Sequence, residues 1–312
     1  MSILYPSITK EALNVGKRCS AIRLTVISSR AMASFSAAAN HASIQPDPSH
    51  VNLRHAPPSF DVTSAVVFPN FITEEEGKSF IKEVSKRMKR RRFEQGHWDS
   101  VIVGYREVEL TIPEDASCES AISNAGVEDT PLFVEAIQRT RQHLEARHFS
   151  SNNTFSSPER GVKWIPCHVI DLKEEGRLDA HVDSVKFSGQ IVAGLSLLSD
   201  SIMRLKPCSD EWKSEDDEGR NTHASEQTCN GKDAVFQGHV DLYLPKRSLY
   251  ILSGMSRFSY THELLPSGST FEFMADSEVL SRGSSSGRSI NVDRSRRLSI
   301  IFRDELRLNV PK

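Results

Sequence analysis

The chain has 312 residues with 38% hydrophobic and 26% charged residues, enough apolar mass for one large core or two small ones. A formal net charge of −2 says nothing for or against a nucleic-acid partner, and no run approaches the roughly eighteen apolar residues of a spanning helix. Five scattered cysteines without a C-x-x-C pair argue against a secreted disulfide scaffold and suit a reducing interior.

Up to Pro46 the acidic residue Glu11 stands alone against Lys10, Lys17, Arg18, Arg23 and Arg30, amid many Ser and Ala. Leu4, Ile8, Ala12, Val15, Cys19, Ile22 and Val26 recur at helical spacing. An acid-poor amphipathic leader of this kind reads as an organelle-targeting segment. Residues 43–59 carry four prolines and read as a linker, so residues 1–59 are expected to be a disordered leader and linker ahead of a folded domain over 60–312.

Thr73 followed by Glu74, Glu75 and Glu76 is a helix start, with Phe80, Ile81, Val84 and Met88 as the buried stripe. The basic run 86–92 suits the negative end of that helix and could alternatively track phosphates. A second helix is expected over 131–148. From Val162 the pattern changes to short strands, at 164–172, 191–198, 239–244, 248–252 and 297–303. Helices followed by strands predict an α+β fold with the helices packed on one side of an all-β core. Residues 206–238 are polar and acidic and read as a disordered insertion, and 281–296 as a flexible basic loop. In the first core strand, Cys167 reads as a buried small hydrophobe.

His181-Val182-Asp183 carries the chemistry. On an extended strand, residues two apart share a face, so imidazole and carboxylate converge. A second His from a distant strand, His262, completes a two-His-one-carboxylate set, which leaves open positions on a non-haem Fe(II) ion. Arg297 opens an apolar strand and can clamp a carboxylate with two N–H groups, and Arg303 follows on the same strand face. A dicarboxylate cosubstrate best explains that Arg297. Without it, a metal hydrolase on a cupin-like barrel is the competing reading.

At these residues the sequence resembles the AlkB family of 2-oxoglutarate- and Fe(II)-dependent dioxygenases, and the runs 97–107, 181–189, 193–199 and 248–254 resemble a mitochondrial branch of it. The likeness runs from about Val66 to Arg303 and omits the leader and the insertion. It implies a double-stranded β-helix (jelly-roll, cupin-like) core, with His181, Asp183 and His262 as metal ligands. It further implies Arg297 and Tyr250 on the 2-oxoglutarate carboxylate, and Arg303 against substrate or bracing the pocket. Ser184 and Lys186 are the expected partners orienting Asp183. One departure stands out: the Asn-x-Tyr of the nucleic-acid-repairing members is replaced by Ile170-Asp171-Leu172, which leaves the cosubstrate hydroxyl to Tyr250.

The resemblance implies oxidation of a C–H bond with O2 and 2-oxoglutarate in the mitochondrial matrix, with a role in programmed necrosis and fatty-acid metabolism. Residues 93–160 hold scattered aromatics and no paired clamp for a flipped base, which favours a protein segment or an already single-stranded RNA as substrate. An interaction protein that keeps the fold but acts by docking is the alternative.

Overall fold

The computed structural model describes residues 44–96, 101–112, 131–149, 162–185, 188–208, 238–274 and 288–305. Chain packing separates Met1–Ile44 from Gln45–Lys312, and the fold is that of the second unit. The leader, most of the acidic insertion (209–237) and Trp98 lie outside the described residues.

Two antiparallel sheets form the core. The larger has six strands in the order β2-β8-β5-β12-β4-β3, and the smaller has the order β1-β7-β6-β9. The larger comprises β2 (Ala65–Phe68), β3 (Ile102–Leu110), β4 (Cys167–Leu178), β5 (Ser188–Leu197), β8 (Leu249–Ser253) and β12 (Arg297–Glu305). The smaller comprises β1 (Val51–Asn52), β6 (Ser201–Pro207), β7 (Val240–Leu244) and β9 (Tyr260–Leu264), and β10 (Ser269–Glu272) pairs with β11 (Ser289–Val292) apart from both. Val67, Leu172 and Leu252 from one sheet and Met203, Leu242 and Leu264 from the other share one apolar cluster, so the sheets face each other as a double-stranded β-helix.

Helices α1 (Glu74–Met88) and α2 (Leu132–His148) pack together and cover the outer face of the larger sheet. Outward-facing Phe68 meets Phe71 and His143, and Phe80 meets Phe133 edge-on. The capping box forms as the sequence predicts: the Glu76 amide donates to Thr73 Oγ1 and the Thr73 amide to Glu76 Oε2. Such a cap contributes about 1 kcal/mol. Glu76 also receives both terminal nitrogens of Arg139, which locks α2 to the start of α1.

Three boundaries differ from the sequence reading. The proline-rich stretch 43–59 is not wholly a linker, because Pro48–His50 form a 3-10 turn and Val51–Asn52 pair with Leu242 and Asp241 of β7. Lys206 and Pro207 belong to β6 rather than to the insertion, because Thr261 and Tyr260 of β9 pair with them. Ser289–Val292, expected within a loop, form β11 against β10.

Asp171, on the outer face of β4, is fully buried between two guanidinium groups. Arg106 Nε lies 2.8 Å away, and Arg296 Nε and Nη2 lie at 2.6 and 2.8 Å. Arg106 also donates to the carbonyls of Met88 and Arg91, which ties the end of α1 to the sheet. Asp171→Ala should leave two like charges facing one another and lower stability by about 3 kcal/mol, the low end for a broken buried pair because Arg296 is partly solvated. Urea unfolding measures this, and a loss below about 1 kcal/mol would show the pair to be merely a surface contact.

Candidate metal centre and cosubstrate pocket

His262 sits in the middle of β9, directly opposite Leu205 of β6. On its other side His181 forms a single bridge with it, the His262 amide donating to the His181 carbonyl at 2.8 Å and the reverse bond measuring 3.2 Å. Directly opposed residues of an antiparallel pair project to the same face. Leu205 is a core residue, so both imidazoles point between the sheets, with ring centroids 4.2 Å apart. The expected extended strand stops at His181, and Val182–Ser184 carry no sheet pairing. Asp183 reaches the same point nonetheless: its Oδ1 lies 3.5 Å from His181 Nε2 and 3.9 Å from His262 Nε2. One ligand atom from each of the three lies within 4.8 Å of the others, a spacing that a single small cation can bridge.

The electrostatics prepare these groups. The Asp179 carbonyl lies 2.9 Å from His181 Nδ1 and accepts its proton, which leaves Nε2 with a lone pair toward the centre. Burial, then the neighbouring His181, push His262 down to about 3, so it is neutral at physiological pH. Burial alone would raise the Asp183 carboxyl. The hydrogen bond that a protonated His181 would give it, the charges of His262 and His181 when protonated, and that of Arg303 outweigh this and hold it well below the usual carboxylate range. At neutral pH the centre therefore offers one carboxylate and a neutral imidazole from His262.

A cavity of about 370 Å³ opens over these side chains, within the range of small-molecule sites. Its floor is the inner face of the larger sheet. Arg297 lies in register with Leu172 and, one strand further, Tyr105. Tyr250 is in register with Gly194, and Gly194 with Ile301. The Tyr250 ring lies across the sheet over Gly194, where an added Cβ would stand 2.5 to 2.6 Å from ring atoms. Arg297 is 4% exposed. Its Nε donates to Ser196 Oγ at 3.2 Å, while its Nη2 and the nearby Ser299 Oγ have no protein partner among the described residues. Burial pulls the Arg297 guanidinium below its ordinary value, and Tyr250 partly offsets this. A buried guanidinium beside a tyrosine hydroxyl presents the donors that a carboxylate accepts from.

Arg303 lines the same cavity, as their even separation predicts. Its Nη1 stands 4.0 Å from Asp183 Oδ2 and its Nη2 donates to His168 Nδ1 at 3.5 Å. His168 Nε2 in turn donates to Glu107 at 2.8 Å. Ile170 and Leu172 face the cavity, so the two Asn-x-Tyr positions remain on its wall as apolar side chains.

Sequence reasoning missed Tyr105, Glu107, His168 and Arg257. The first three reach the cavity only through cross-strand register. Arg257 had no local signal. It is buried, and it donates to the carbonyls of Asp183 and Ser184, a hold that the sequence reading assigned to Ser184 and Lys186. Lys186 lies outside the described residues. Cys167 is fully buried, and burial pushes its thiol up to about 11, as an inert core residue requires.

No protein-family model matches the sequence. The chain is 33% identical over 207 residues to the mouse (Mus musculus) "alpha-ketoglutarate-dependent dioxygenase alkB homolog 7, mitochondrial", covering 66% of this chain and 70% of that protein. The bovine (Bos taurus) protein of the same description is 31% identical over 210 residues, covering 67% of this chain and 70% of that protein. Among solved structures, that of OsALKBH1 aligns over 77% of this chain and 96% of its own at 15% identity with a TM-score of 0.40. A Pseudomonas putida prolyl-4-hydroxylase aligns over 78% of this chain and 93% of its own at 11% identity with a TM-score of 0.41. Identity at this level, spanning two thirds of both partners, makes the chain a member of the AlkB family of alpha-ketoglutarate-dependent dioxygenases.

Proposed function

We propose that His181, Asp183 and His262 hold Fe(II), that Arg297 and Tyr250 bind the distal carboxylate of 2-oxoglutarate, and that the enzyme oxidises a C–H bond of a protein or RNA substrate. The observation that carries this reading is the pairing of two features in one cavity: three convergent ligand atoms, and a buried Arg297 beside Tyr250 whose Nη2 has no partner among the described residues. When bound, iron and 2-oxoglutarate supply an O2-derived oxidant, with succinate and CO2 as coproducts. The chain's own residues do the rest. The Asp179 carbonyl fixes the His181 tautomer, and Arg303 faces the Asp183 carboxylate and steadies it. Ile102, Leu178, Met203 and Leu264 keep the cavity wall apolar, which strengthens the contacts of Arg297.

Gly194 belongs to this reading because it makes room for the Tyr250 ring. Gly194→Ala should displace that ring, raise the KM for 2-oxoglutarate about tenfold, and cost about 1–3 kcal/mol of stability through overpacking. Steady-state kinetics with varied 2-oxoglutarate tests it, and an unchanged KM would remove Tyr250 from the cosubstrate site.

The acid-poor leader and the word "mitochondrial" in the relatives' descriptions support import into the mitochondrial matrix, with residues 1–59 as leader and linker in part. A role in programmed necrosis and fatty-acid metabolism rests on the family resemblance alone. The deciding experiment is iron-dependent succinate formation from 2-oxoglutarate, with methylated single-stranded RNAs or methylated peptides added. Stimulation by one class names the substrate. Absence of any iron-dependent succinate would end the enzyme reading.

A further inference from the structure

Arg257 lies in α3 (Gly254–Phe258), the short helix between β8, which carries Tyr250, and β9, which carries His262. It is 2% exposed, yet its contacts are not with a carboxylate. Nη1 donates to the Asp183 carbonyl at 2.9 Å, and Nη2 lies 3.2 Å from the Ser184 carbonyl, 3.4 Å from that of Ser188 and 2.7 Å from Ser188 Oγ. Its Nε is buried without a partner among the described residues. Burial pulls the guanidinium below its ordinary value and the charges of Asp183 and Asp304 only partly offset this, so the arrangement is not what stability by itself would select.

The contacts all fall on one segment. After the bridge at His181, Val182–Val185 carry no sheet pairing, and β5 begins at Ser188. Backbone carbonyls here need hydrogen bonds that a sheet would otherwise provide. Arg257 meets those of Asp183 and Ser184, the latter together with the Ser188 hydroxyl and amide, and its own place is fixed. Ser256 Oγ lies 2.6 Å from Ser64 Oγ, and the Ser259 amide closes the helix on the Met255 carbonyl. Five residues further on stands His262. Through Arg257, the loop bearing Asp183 is therefore tied to the start of the strand bearing His262.

We propose that Arg257 is a positioning residue: by holding the Asp183 and Ser184 carbonyls it keeps the Asp183 carboxylate aimed at the point shared with His181 and His262, so divalent-cation affinity depends on it more than the fold does. This rests on the reading of those three residues as a metal centre.

The test is Mn2+ titration of the metal-free full-length protein, with the free ion followed by electron paramagnetic resonance. Removing a group that orients a metal ligand typically weakens affinity about 10–100-fold. Arg257→Met should show a loss of that size while its far-UV circular dichroism stays that of the wild type. Arg257→Lys, with one ammonium for several carbonyls, should fall between. Ser188→Ala, which deletes one acceptor of Arg257 and the hydroxyl's own bond to the Ser184 carbonyl, should weaken binding a few-fold. A folded Arg257→Met variant with a Kd within twofold of wild type overturns the proposal. If that variant does not fold, unchanged Kd values in both Arg257→Lys and Ser188→Ala overturn it instead. Wild type that binds no Mn2+, or Asp183→Ala that binds it equally well, would overturn the metal reading itself and is thereby told apart from failure of Arg257 alone.

Discussion

Asp183→Ala should yield a folded protein that no longer retains a divalent ion and forms succinate from 2-oxoglutarate at under about one hundredth of the wild-type rate. The magnitude follows from comparison: losing a group that merely orients a ligand costs about 10–100-fold, and Asp183 is placed to be a ligand. It is also the centre's negative charge. Two imidazoles alone would leave a divalent cation uncompensated, because the cavity's other carboxylate, Glu107, is paired with His168 and the nearby Arg297 and Arg303 are cationic. Asp183→Asn should be nearly as damaging, since it keeps the shape and removes the charge. At neutral pH neither Asp183 nor His262 has a proton to lose, so the loss should be similar at pH 7 and pH 8. Metal content and coupled succinate formation check both claims. Wild-type metal content in Asp183→Ala would show that the three side chains converge for another reason.

How far the sequence anticipated this depends on how local each signal is. Thr73 and Glu76 announce α1 because a capping box is completed within four residues. Arg297 and Arg303 share a cavity because β12 is regular between them, as the alternation of Leu298, Ile300 and Phe302 requires. His181 and Asp183 were legible as a pair for a reason that proves incomplete. The strand ends at Leu178, His181 holds one isolated bridge to His262, and the loop that follows is shaped by Arg257, 74 positions away from Asp183. β3 was hidden. Gly104 at φ 70° and the register shift between Val103 and Tyr105 interrupt its alternation, while Glu107 faces the metal-centre cavity rather than a packed core. β1 has two residues among prolines and β11 has four, so their existence depends on β7 and β10, distant partners that no local pattern reveals.

Arg297→Met should raise the KM for 2-oxoglutarate about a hundredfold while leaving the metal-free protein as stable as wild type or more so. The two effects have one cause. Among the described residues Arg297 has no ion-pair partner, and burial disfavours its charge, so the fold holds a desolvated cation whose Nη2 is unmatched there. Methionine of similar length fills the space without that cost, and replacing buried charge by apolar volume is often neutral or stabilising. In the cosubstrate complex the balance reverses. A hydrogen bond to a charged group contributes about 1.5–3 kcal/mol, so losing the contact costs at least a factor of ten and two N–H groups more. Arg297→Lys should not restore tight binding, because a single ammonium cannot reproduce the fork that meets both carboxylate oxygens. Thermal unfolding of the metal-free protein and KM from steady-state kinetics should therefore move in opposite senses. A fall in stability with an unchanged KM would mean that Arg297 is a structural brace for Ser196, and the carboxylate would have to bind elsewhere in the cavity.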